Sequence, residues 1–212
     1  MKKVLEKQIF GHIAITALII RFAYFLQHAA SPFFAKPLLD QHYYDLCAQQ
    51  LAGAGGALID GFRPLLYPLF LSGFYMLDLD SGMILSIIAL HVLGIGMTVM
   101  VAWLAMRLFD NTKAGIVAGL FFCFSAPPLY FEGELLIAPL FSFLLLLLWF
   151  VVFQALESDT SRRAIVLWIV SGTVLGLAAQ ARPNALPLVL AFPLFSLRRL
   201  IGRRYWPCSA FC

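Results

Sequence analysis

Runs of about twenty apolar residues recur along this chain, and they leave it few ways to fold. The stretches 9–29, 83–108, 114–131, 135–155, 164–181 and 184–201 are each near the length an α-helix needs to cross a bilayer core. With 62% hydrophobic and 12% charged residues, a water-facing surface would be mostly apolar and would aggregate. The alternating pattern of a membrane barrel is absent. The expected fold class is therefore all-α, a polytopic membrane protein with about six transmembrane helices. Residues 1–201 are expected to form one transmembrane domain, and 202–212 a short cytoplasmic tail.

Two further segments are expected to be juxtamembrane helices on the outer surface. Segment 40–52 (DQHYYDLCAQQLA) puts Asp40, Tyr44, Cys47, Ala48 and Leu51 on one helical face. Segment 64–77 (PLLYPLFLSGFYML) is short for a span, begins with Pro64 and is followed by Asp78 and Asp80, which suits an interfacial position.

Charge sets the expected orientation. If 64–77 stays on the surface, the inside receives Lys2, Lys3, Lys7, Arg107, Lys113, Arg162, Arg163, Arg198, Arg199, Arg203 and Arg204, which is 11 of the 15 basic residues. If it crosses, the paired arginines move outside, against the positive-inside bias. The net charge of +4 thus reports topology and not a nucleic-acid partner. In this arrangement Asp40, Asp45, Asp60, Asp78, Asp80, Glu132 and Glu134, seven of the eleven acids, share the outer side. Acids steer topology weakly, so their gathering points to chemistry. The four cysteines, Cys47, Cys123, Cys208 and Cys212, form no CxxC or zinc-spaced cluster. His28 and His42 lie on the outer side without metal-ligand spacing, and His91 is expected to be packed or hydrogen-bonded inside the second span.

The most polar stretch, residues 30–63, directly follows the first span and holds Asp40, His42, Tyr43, Tyr44, Asp45, Asp60 and Arg63. Asp40 reads either as a catalytic carboxylate at the membrane surface or as an N-cap on the helix that follows. Arg63 suits an anion, because a guanidinium makes forked contacts to phosphate, but it equally suits a lipid headgroup. Glu132 and Glu134 sit between two spans, where a carboxylate binds metal, acts as a base or solvates a loop. Arg182 precedes Pro183, which ends or kinks a helix. At that depth it needs an anionic partner, met by a substrate or by Glu132 or Glu134. Arg21, within the first span, demands an acid, a polar cavity or a snorkelled position.

In order, RFAYFLQ, LLDQHYYDLCAQQLAG, FRPLLYPLFLSGFY, MRLFDNTKAGIVAGLFF, APPLYFEGELL and GLAAQARPNALP resemble the GT-C membrane glycosyltransferases. The nearest likeness is to the bacterial relatives of the protein O-mannosyltransferases and the lipid A aminoarabinose transferase. The likeness runs from residue 9 to about residue 200 and rests on the ordered set, not on one motif. It implies a transferase in a bacterial inner membrane, moving a hexosyl or pentosyl group outside from a polyprenyl-phosphate donor to a glycan, lipid or protein acceptor. It implies a catalytic acid in the first outer loop, matched by Asp40, and a second in the next, matched by Glu132 or, better, by Glu134. Arg63 and Arg182 supply the charge type that the donor phosphate needs, and Tyr44 and Glu132 are further candidate substrate contacts. A divalent metal ion is a further expectation, since positive charge at the leaving phosphate comes from arginine or metal. The chain is shorter than members of that group, and the tail RRLIGRRYWPCSAFC reads as a truncated or frameshifted end. The competing readings are a transporter or flippase, and a non-catalytic remnant or scaffold.

Overall fold

The computed structural model describes residues 2–34, 36–53, 63–158 and 160–188. Within these residues the chain is all-helical: α1 (Lys2–Ala29), α2 (Asp40–Leu51), α3 (Leu66–Tyr75), α4 (Gly82–Leu108), α5 (Thr112–Phe124), α6 (Ala126–Glu132), α7 (Ile137–Glu157), α8 (Ser161–Ala181) and a 3-10 turn at Pro183–Ala185. Among the described residues four helices, α1, α4, α7 and α8, are long and apolar enough to cross a membrane, and the bent pair α5–α6 makes a fifth if counted as one span. The chain is therefore an integral membrane protein. The expected sixth span, 184–201, lies outside the described residues from residue 189 onward, as does the 202–212 tail.

The two short helices form where the sequence spacing places them. In α2 the buried residues Tyr44, Cys47 and Ala48 follow the expected face, with Asp45 beside them. In α3 the buried Tyr67, Leu71 and Tyr75 recur every four residues and pack with Tyr44, Ala48, Ile87 and Leu90 in one core. That core continues down α7 through Leu140, Leu144, Leu148 and Val152, against Val174, Leu175, Ala178 and Ala181 of α8. Inside it the Tyr75 hydroxyl donates to Asp45 Oδ1, and Gln49 Nε2 donates to Oδ2 at 3.0 Å. Burial, followed by this bond to Asp45, pushes the Tyr75 phenol well up from its usual range. Tyr75→Phe leaves a buried carboxylate oxygen short of its donor. It is expected to cost about 1–3 kcal/mol, read as a lowered midpoint in thermal unfolding of the detergent-solubilised protein.

At the opposite end, α4 and α5 form a tight hairpin. The Asn111 side chain accepts from the Lys113 N–H at 2.8 Å and caps α5. Gly115 and Gly119 let α5 lie against α4: a Cβ at Gly115 would sit 2.7 Å from the Ala102 carbonyl oxygen.

The expected continuous span 114–131 is broken. Helix α5 stops at Phe124, Ser125 turns extended, and α6 leaves at an angle of 53°. Pro127 and Pro128 are the cause. In the middle of one long helix they would remove hydrogen bonds and clash with the preceding turn, but in the first turn of a new helix their missing N–H groups go unneeded. Helix α6 ends at Glu132, which is fully buried.

That end is fixed by charge. Arg21 Nε and Nη2 donate to the two Glu132 carboxylate oxygens at 2.8 and 2.9 Å, and His91 Nδ1 lies 3.2 Å from Oε2. The ion pair is 1% and 0% exposed. Arg21 lies eight residues before the end of α1, about 12 Å along the axis at ~1.5 Å per residue. A forked ion pair at that depth answers the cost of a charge in an apolar bundle. Gly94 of α4 makes the room, because a Cβ there would overlap the Glu132 carboxylate. Gly94→Ala is expected to force the carboxylate aside and destabilise the protein by about 1–3 kcal/mol. An unchanged unfolding midpoint would show that the carboxylate has somewhere else to go.

Candidate functional site

The bundle end that carries α2 and α3 also receives the end of α1, the α6–α7 junction and the end of α8. At this end lies a cleft of about 340 Å³, lined by Asp40, Tyr44, Pro64, Phe131, Leu136, Ile137, Ala138, Ala181, Arg182 and Pro183. Three of the residues singled out from sequence, Asp40, Tyr44 and Arg182, meet there. The rest of the lining is almost wholly apolar.

Asp40 is the first residue of α2, but its side chain does not cap the helix. The capping position is Leu39, at φ 51°. A leucine there is strained by roughly 1–3 kcal/mol. The Asp40 carboxylate instead accepts from Arg63 Nη2 at 2.9 Å through Oδ1. No described residue donates to Oδ2. The Arg63 guanidinium also lies over the rings of Tyr43 and Tyr44, at 4.8 and 5.6 Å from their centroids. The Asp40 hydrogen bond raises the Arg63 pKa further above its already high value. Arg63 stands beside the cleft, and the lining passes from Tyr44 to its neighbour Pro64.

Arg182 ends α8 because Pro183 disfavours a helical conformation in the residue before it. Its backbone is extended, at φ −144° and ψ 123°. Its guanidinium lies 5.6 Å from the centre of the Phe141 ring. Among the described residues no carboxylate forms an ion pair with it. Of the partners open to Arg182 from the sequence, a substrate or Glu132 or Glu134, neither glutamate pairs with it. Glu132 is taken by Arg21 and His91, and Glu134 lies elsewhere.

Glu134 sits in the turn between α6 and α7, half-buried. It accepts from Gln41 Nε2 of α2, and its Oε1 is 4.0 Å from His28 Nε2 at the end of α1. It ties three elements together next to the cleft but is not part of the lining. Glu132 does not reach the cleft either, although its neighbour Phe131 lines it. Asp60 lies outside the described residues.

The sequence reading missed Gln41 and the Asp45–Tyr75 bond. Gln41 precedes the buried face of α2, and Tyr75 follows Asp45 by thirty residues with no local pattern to join them. Among the described residues no three or more His, Cys, Asp or Glu side chains gather in a way that would hold a metal ion. Arg182 is the basic residue among those lining the cleft. Comparison with known protein families, with curated proteins and with solved structures finds no match to this chain.

Proposed function

We propose that this chain carries the reaction centre of a membrane glycosyltransferase that takes a hexosyl or pentosyl group from a polyprenyl-phosphate donor. The observation that carries the reading is that Asp40 and Arg182, an arginine with no carboxylate partner among the described residues, line one otherwise apolar cleft at one end of a membrane bundle. A sugar on a polyprenyl phosphate cannot leave the bilayer, so its reacting atoms must be met at the interface. The cleft offers an arginine for the phosphate, apolar walls for an amphiphile and a carboxylate for the acceptor. The acceptor hydroxyl gives its proton to Asp40 as its oxygen bonds to the anomeric carbon. The bond from that carbon to the phosphate oxygen breaks, and its electron pair leaves with the polyprenyl phosphate, whose charge Arg182 meets. The order of motifs along the chain, similar to that of the GT-C enzymes, supports the same reading.

The direct test supplies the protein, reconstituted in lipid, with radiolabelled polyprenyl-phosphoryl sugars and a mixed acceptor fraction. Protein-dependent loss of label from the donor is expected. No turnover of any hexosyl or pentosyl donor sinks the proposal.

We place the cleft on the outer side of a bacterial inner membrane. Support comes from the basic residues Arg107, Lys113, Arg162 and Arg163, which lie at the hairpins opposite the cleft. In a cysteine-free background, a cysteine at Gln49 is expected to react with an impermeant thiol reagent in intact cells, and one at Ser161 is not. The reverse labelling would turn the cleft toward the cytoplasm.

A further inference from the structure

We infer that Arg63 is a positioning residue for Asp40 and not a ligand of the donor phosphate. This rests on the glycosyltransferase reading and divides the labour between its two arginines. Arg63 is already engaged on several sides. Its Nη2 donates to Asp40 Oδ1 at 2.9 Å, and its guanidinium covers the rings of Tyr43 and Tyr44. It does not line the cleft, whereas Arg182 does, and no described carboxylate pairs with Arg182. A phosphate in the cleft therefore meets Arg182 directly, while reaching Arg63 would require breaking its bond to the base.

The geometry of the pair suits a base. One carboxylate oxygen, Oδ1, is held by the guanidinium. The other, Oδ2, has no donor among the described residues and is open to an acceptor hydroxyl. The rings beneath Arg63 fix the cation, and the following Pro64 restricts its backbone. Asp40 and Arg63 are 59% and 29% exposed. An ion pair so open to solvent adds little to folding. Its effect belongs in turnover, because small misplacements of a reacting group carry large rate penalties.

The test compares steady-state kinetics of the reconstituted protein and its variants on a polyprenyl-phosphoryl sugar. Arg63→Ala is expected to lower kcat roughly 100-fold, the order of penalty for a misplacement of about 1 Å, with the donor KM nearly unchanged. Arg63→Lys, which keeps a charge able to reach Asp40, recovers part of kcat. Arg182→Ala raises the donor KM. In an Asp40→Asn background, Arg63→Ala has no further effect, since the group it orients has lost its function. A raised donor KM with kcat retained in Arg63→Ala overturns the inference and leaves the glycosyltransferase reading standing. So does an undiminished effect of Arg63→Ala in the Asp40→Asn background. A wild-type protein that turns over no donor overturns both.

Discussion

Asp40→Asn is expected to lower sugar transfer by roughly 10²–10⁴-fold, the range for losing a general base, with membrane insertion and thermal stability retained. The amide keeps the size of the carboxylate and an oxygen able to accept from Arg63 at the same place. It removes the negative charge and the basicity. Since the pair is exposed, its charge adds little to the fold. Nor is a helix cap lost, because Asp40 makes no capping hydrogen bond. Transfer should thus collapse without a loss of protein. Near wild-type transfer by Asp40→Asn would remove Asp40 from the chemistry and leave it as a partner for Arg63 alone.

The second large effect is structural. Glu132→Leu is expected to cost about 3–5 kcal/mol, because it leaves the Arg21 guanidinium buried with no carboxylate. Arg21→Leu is expected to cost a similar amount from the other side. The double replacement, Arg21→Leu with Glu132→Leu, should be much less damaging than the sum, since neither charge is then stranded. Denaturant unfolding of the purified protein in mixed micelles measures all three. Additive losses in the double variant would mean that the two residues do not depend on each other, contrary to their forked contact. Activity is expected to fall with Glu132→Leu as well, because α6 carries Phe131 into the cleft wall.

The contrast between these two sites shows what the sequence could and could not reveal. Helices α2 and α3 were legible because their apolar residues recur at helical spacing within a dozen positions. The end of α8 was legible because Pro183 acts on its immediate neighbour. The need of Arg21 for an acid could be stated from the cost of its charge alone. Which acid answers it could not, since Glu132 is 111 residues away and nothing local links them. Glu132 had looked like a loop residue available to substrate; the break at Ser125 turns it inward instead. That break did leave a signal, because two prolines in succession mark the first turn of a helix better than the middle of one. Apolar composition on both sides masked it. In the cleft, the residue types at Asp40, Tyr44 and Arg182 were readable. The division between Arg63 and Arg182 was not, because it depends on which arginine has a carboxylate within reach.

The distance along the chain between Arg21 and Glu132 also sets a waiting time. Translation proceeds at roughly 5–20 residues per second, so the 111 residues that follow Arg21 up to and including Glu132 take roughly 6–22 s to make. Throughout that interval α1 stands in the insertion machinery or the lipid without Glu132, the carboxylate its guanidinium meets in the folded chain. The first helix therefore carries a costly charge in the bilayer until α6 emerges. It must either linger in an aqueous passage or pull its arginine toward a headgroup layer. Slowing synthesis between α1 and α6 should lengthen the period in which quality-control proteases can seize α1.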